Sequence, residues 1–153
     1  MNLNYLLNLM PHYFTVWNIC LLIITLLFSN RLPNYIKYVV KISIISFSIL
    51  GYYILEKNVD KASKKYNLKP VYVQILNIIS HILPLIIVLL YLPTKKIILQ
   101  KNKVLALYIY SIFTLTYLSI ANPKFAYDYV ESPFRTMMLG SGIFNILFGL
   151  LNY

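Results

Sequence analysis

Apolar residues gather into five runs, near 13–28, 38–55, 71–92, 104–121 and 134–151, each bounded by a short polar or proline-bearing stretch. A membrane-spanning helix needs about 20 predominantly apolar residues, and each run approaches that length. The boundaries carry helix punctuation: Pro11 ahead of the first run, Pro70 and Pro93 on either side of the third, and Asn122-Pro123 after the fourth. The runs lack the strict alternation of a barrel strand, and open strands leave backbone groups unpaired in lipid. The pattern predicts an all-α, polytopic transmembrane helical bundle of about five spanning helices in a single domain. The fifth run is the weakest. It is short, contains Gly140, Gly142 and Gly149, and is also compatible with an interfacial helix.

Composition agrees with a lipid environment. The chain is 59% hydrophobic and 12% charged, with a mean hydropathy of +0.69, whereas soluble domains carry about 25% charged residues. The net charge of +10 comes from 14 Lys and Arg against four acids. These bases sit beside apolar spans, so the partner they imply is anionic lipid headgroups at Lys-rich loops, and not nucleic acid. Cys20 is the single cysteine, so no intrachain disulfide forms. The start of the chain has no basic n-region and no small-residue cleavage site, and no removable signal is expected. The localisation that follows is an integral, multi-pass membrane protein. Its orientation is not set by the positive-inside rule. Lys57, Lys61, Lys64, Lys65, Lys69, Lys124 and Arg135 on one side face an equal number on the other, Arg31, Lys37, Lys41, Lys95, Lys96, Lys101 and Lys103. The most charged stretch, "EKNVDKASKKYNLKP" at 56–70, reads as a solvated loop beside headgroups, with a short basic surface helix as the alternative.

One polar pattern interrupts the apolar spans. In the third run Gln74, Asn77, His81 and Pro84 fall at i, i+3, i+7 and i+10, which places them on one helix face. Polar groups in lipid are costly unless they face protein or a cavity, so this face is expected to point into the bundle. Pro84 lacks an N–H and is expected to kink the helix and free the Ser80 carbonyl. A low dielectric favours the neutral imidazole of His81, which leaves three roles: general base, metal ligand, or interhelical hydrogen-bonding group. No metal and no cofactor is expected, because His12 is the only other histidine and Asp128 and Glu131 lie in a loop. A base needs a nucleophile, and Thr15, Cys20, Ser29, Ser43, Ser46, Ser48, Thr114, Thr116 and Ser119 are all in or near spans. Residue type alone does not choose among them.

Three stretches together make that choice. "YFTVWN" at 13–18, "LNIISHILP" at 76–84 and "FAYDYVESPFRTMMLGS" at 125–141 occur in the order of the motifs of the androgen-induced-gene family, which the chain resembles over nearly its whole length. Members are multi-spanning intramembrane threonine hydrolases that cleave fatty acid esters of hydroxy fatty acids. The resemblance implies Thr15 as nucleophile, His81 as base, and Asn77 as the residue that orients the ring or binds the oxyanion. Asn18 and Tyr127 in the quoted stretches and Gln74 on the polar stripe are the candidate substrate contacts, and the substrate the resemblance implies is a lipid ester entering from the bilayer. The chain departs from the family by having Pro84 three residues after His81 instead of five, Ile82 in place of a Thr, and Asp128 in place of a Pro.

The chemistry asks for convergence. Thr15 lies about four residues from Pro11, or roughly 6 Å along its helix, and His81 lies roughly 15 Å into its own. The two helices run in the same direction, so about 9 Å must be made up by tilt or by shifted helix starts. In the fourth loop, Tyr127, Asp128, Tyr129, Glu131 and Arg135 read either as a cap on the cavity mouth or as an interfacial aromatic belt with a Glu131–Arg135 pair. The rival to an enzyme is a non-enzymatic structural or assembly protein of a membrane compartment or virus particle, in which the polar stripe only joins helices. A channel or carrier ranks lower, since no span carries a buried acid.

Overall fold

The computed structural model describes residues 13–95, 97, 99–121, 127, 130 and 133–152. They form an all-α bundle: α1 (Phe14–Leu27), α2 (Asn34–Lys57), α3 (Val59–Tyr66), α4 (Pro70–Asn77), a π-helical turn (Ile78–Ile82), α5 (Leu83–Tyr91), α6 (Gln100–Ile120) and α7 (Pro133–Asn152). Helix α4, the π turn and α5 are one continuous rod, Pro70–Tyr91. Each predicted apolar run is a helix, with boundaries displaced by a few residues.

Three helices are long and apolar enough to cross a membrane: α2 with 24 residues, the rod with 22 and α6 with 21. At 1.5 Å per residue these reach about 36, 33 and 31 Å, against a hydrocarbon core of about 30 Å. Helix α1, with 14 residues, reaches about 21 Å.

Helix α2 is the hub, and α1, the rod, α6 and α7 all pack against it. Its sequence accounts for this. Between Tyr38 and Ser48 it buries residues on nearly every face, among them Ser43, Ser46 and Ser48, and small residues let helices approach closely without a hydrophobic driving force. One core cluster joins Tyr38 and Ile42 to Ala106, Tyr110, Phe144 and Phe148. A second joins Val40, Ile44 and Phe47 to Leu22, Val88 and Leu92. The start of α2 is tied to the end of the rod. Asn34 Nδ2 donates to the Lys95 carbonyl at 2.6 Å, and the Lys95 N–H donates back to Asn34 Oδ1 at 2.9 Å. The outer faces are strongly apolar: Leu27, Leu90 and Leu150 are among the most exposed residues, as suits a surface that meets lipid.

The stretch 56–70 is not a loop throughout. Val59–Tyr66 forms α3, with Ala62 fully buried beneath it. Asn67 closes the helix at φ 51°, a left-handed conformation that Asn tolerates better than most residues. Lys61 and Lys64 stay exposed on the outer face. The helix forms because one small residue docks while its lysines remain solvated.

Candidate functional site

The π turn is where the polar stripe departs from a regular helix. Pro84 has no N–H for the Ser80 carbonyl, and its ring crowds that carbonyl. The backbone widens over Ile78–Ile82 in response, as helices commonly do at such insertions. The stripe facing the bundle is Val73, Asn77, His81, Pro84 and Val88, all buried. Gln74 is exposed, contrary to the expectation that it points inward. In a regular helix each four-residue step overshoots a full turn by about 40°. The buried register follows 73, 77 and 81, and Gln74 stands one residue, about 100°, off it.

His81 packs on α2. Its ring lies 5.3 Å from the Phe47 ring at 59° and fills the space that a side chain at position 51 would take. A Cβ built on Gly51 would stand 2.2 Å from His81 Cε1 and 2.6 Å from Nδ1. His81 Nδ1 has no hydrogen-bond partner among the described residues. Asn77, one turn earlier, is fully buried. Its Nδ2 donates to the Tyr52 carbonyl at 3.1 Å, while its Oδ1 has no partner.

Thr15 is the second residue of α1. No side chain of the preceding residue caps this helix. Instead the Tyr127 phenol oxygen accepts the Phe14 N–H at 3.1 Å and meets both the N–H and the hydroxyl of Thr15. A phenol from the distant 121–132 segment thus satisfies amides that a helix start leaves orphaned. Burial pushes the Tyr127 phenol above its ordinary value of 10.0, and the bonds from Thr15 and Phe14 only partly offset that. Tyr13 stacks edge-on against Tyr127 at 5.1 Å, and its hydroxyl bonds to that of Tyr66 at the end of α3. Asp128, Tyr129, Glu131, the Arg135 side chain and His12 lie outside the described residues.

Asn18 lies one turn after Thr15 and is fully buried. Its Nδ2 donates to the Phe14 carbonyl at 2.9 Å and its Oδ1 accepts from Ser43 Oγ at 2.7 Å. The first bond lies within α1 and the second ties α1 to α2, and Asn18 does not line the cavity described next.

A cavity of about 60 Å³ lies between α1, α2, α6 and α7. Thr15 lines it, together with the hydroxyls of Ser43, Ser46, Tyr110, Thr114, Thr136 and Ser141 and the walls formed by Phe47 and Gly51. His81 is not part of this lining, and no hydrogen bond joins it to Thr15. The two are separated by one wall, because Phe47 and Gly51 face the cavity on one side and the imidazole on the other. Gly51, Thr136 and Ser141 went unnoticed in the sequence. A signal existed: Gly51 follows Ser43, Ser46 and Ser48 spaced among large apolar residues on α2, and Ser141 stands between Gly140 and Gly142. Among the described residues no three His, Cys, Asp or Glu side chains come together as metal ligands.

Compared with protein-family models, curated proteins and solved structures, the chain matches none.

Proposed function

We propose that the chain is an intramembrane hydrolase of lipid esters, such as fatty acid esters of hydroxy fatty acids. Thr15 is the nucleophile and His81 the base. Asn77, one turn before the ring and with an Oδ1 that has no partner among the described residues, orients the imidazole or binds the oxyanion once substrate is bound. The observation that carries this reading is the position of Gly51. It is a wall of the cavity that Thr15 lines, and its missing side chain is the space the His81 ring occupies. Hydrogen bonds between catalytic groups are often long or absent before substrate binds. Here the imidazole turns past Gly51 as the substrate enters. It takes the Thr15 hydroxyl proton while the oxygen attacks the ester carbonyl, and returns that proton to the departing alcohol. Water then attacks the acyl-threonine, with the same ring as base, and releases the fatty acid. Tyr127, a neutral phenol at the start of α1, positions Thr15.

In this reading all five apolar helices span the bilayer, with the short α1 crossing where Tyr127 and α3 cover its end. Lys61 and Lys64 on α3 meet anionic headgroups. Cysteine accessibility at positions 2 and 152 tests the span count: labelling from opposite sides is expected, and labelling from the same side leaves four. For the activity, purified wild type in vesicles should hydrolyse such esters, and Thr15→Ala and His81→Ala should each abolish turnover. A wild type without turnover ends the reading. One observation favours a second reading, a non-enzymatic structural protein. Asn77 to Tyr52, and Asn18 to Ser43, are interhelical hydrogen bonds of the kind that hold membrane helices together.

A further inference from the structure

The cavity beside Thr15, at about 60 Å³, has room for roughly four to six water molecules. It can take an ester group and not the chains attached to it. A second and larger space adjoins it. Between α6 and α7 lies an open groove of about 320 Å³, lined by Ser111, Thr114 and Leu118 on one helix and by Met138, Ser141 and Asn145 on the other, with Tyr110 at its inner edge. Tyr110, Thr114 and Ser141 line both spaces, so the groove and the cavity share one wall, in which the Tyr110 hydroxyl bonds to that of Ser141.

The two helices leave this groove open because each packs on α2 and they meet each other mainly through one contact. Tyr110 and Phe144 stack face to face with centroids 3.5 Å apart. Residues 111, 114 and 118 on α6, and 138, 141 and 145 on α7, are spaced to share a helix face. From the stack, residues 111, 114 and 118 and residues 138 and 141 lie toward the end of the bundle that holds Thr15, and Asn145 lies just past the stack. The groove surface is mostly apolar, as an acyl chain requires, but it carries polar side chains where lipid contact would predict none. Ser111 and Asn145 are exposed there, and an exposed amide facing hydrocarbon is costly. A groove of equal volume on the other side of α6, lined by Trp17, Cys20, Ile24 and Phe113, shares no residue with the Thr15 cavity and has hardly a polar group.

We propose that the α6–α7 groove is a lateral portal that seats one acyl chain of a membrane lipid. Its oxygenated end passes between Tyr110, Thr114 and Ser141 toward Thr15. The direction of that end rests on the hydrolase reading, whereas the seating of the chain does not. Within this mostly apolar groove, Asn145 and Ser111 offer donors outside the cavity to a chain that carries oxygen partway along its length.

The test is photocrosslinking of the full chain in phosphatidylcholine vesicles, with a long-chain fatty ester that bears a diazirine on its acyl chain, followed by peptide mapping. Adducts should concentrate several-fold on Leu118 and Met138 over Ile24 in the apolar groove and Leu90 on the rod. Leu115, which also lines the groove, and Met138 are each 62% exposed, so Leu115→Trp and Met138→Trp fill the groove without touching the core. Each should remove the groove adducts and raise KM for a long-chain ester, while Thr15 keeps its labelling by a small fluorophosphonate. Leu90→Trp should do neither. Adducts spread evenly over lipid-facing residues, or unchanged in the two groove variants, overturn the proposal. So does a dimer that dissociates in those variants, because a second copy then covers the groove. Groove adducts in a wild type that lacks fluorophosphonate labelling support the acyl-chain seat and refute only the hydrolase reading.

Discussion

Gly51→Ala is a perturbation whose size follows from one contact. The three atoms nearest a Cβ at position 51 all belong to the His81 ring, at 2.2, 2.6 and 3.0 Å. Ordinary carbon contacts begin near 3.5 Å, so the ring or the helices must move. Overpacking of this kind costs about 1–3 kcal/mol. Replacing Gly by Ala within a helix returns about 1 kcal/mol, which leaves a net loss of about 0–2 kcal/mol. The double mutant separates the two effects. With His81→Ala the ring is gone, only the helix gain remains, and the pair should show a coupling of about 1–3 kcal/mol. Gly149 is the control, since a Cβ there meets nothing within 4 Å. The assay is reversible denaturation in mixed detergent micelles, followed by the fluorescence of Trp17, the single tryptophan. If Gly51→Ala is as stable as Gly149→Ala and shows no coupling to His81, the ring does not sit against α2, and the shared wall between His81 and Thr15 is wrong.

Asn77→Leu removes the donor to the Tyr52 carbonyl and should cost about 0.6 kcal/mol, the usual value for an interhelical bond in a membrane protein, read in the same denaturation assay. Tyr127→Phe removes the acceptor of the Phe14 N–H; it should cost about 1 kcal/mol and speed hydrogen exchange at the start of α1. Because burial raises the Tyr127 value, the folded chain holds that proton where the unfolded chain loses it. Stability is therefore full below the ordinary value of 10.0 and falls as pH rises above it, and Tyr127→Phe should make that alkaline loss shallower. Asn18→Ala should cost about 1–3 kcal/mol, since it leaves the buried Ser43 hydroxyl without its acceptor.

The helices were legible because apolar runs and prolines are local signals, and helix type and approximate ends follow from them directly. The inward face of the third run was legible at Asn77 and His81 but misassigned at Gln74, because a stripe of polar letters is not the buried register when the apolar Val73 and Val88 complete it. The π turn was visible only as its cause, Pro84, and the sequence pointed to a kink. The charge of 56–70 favours a solvated loop over the short basic surface helix that forms, because it hides the one buried contact at Ala62. The site's remaining features are tertiary. Tyr127 is more than a hundred residues from the amide it caps, and Gly51 matters only because His81 arrives beside it. No local pattern announces such pairs.

The central claim is that Thr15 is the nucleophile, and it is tested most directly by locating a covalent adduct. Purified wild type is treated with a fluorophosphonate, and the modified peptide is identified by mass spectrometry. The adduct should lie on Thr15, and His81→Ala should abolish it as fully as Thr15→Ala does, since nucleophile and base act as a unit. An adduct on Ser43, Thr136 or Ser141, or none on wild-type protein, contradicts the account.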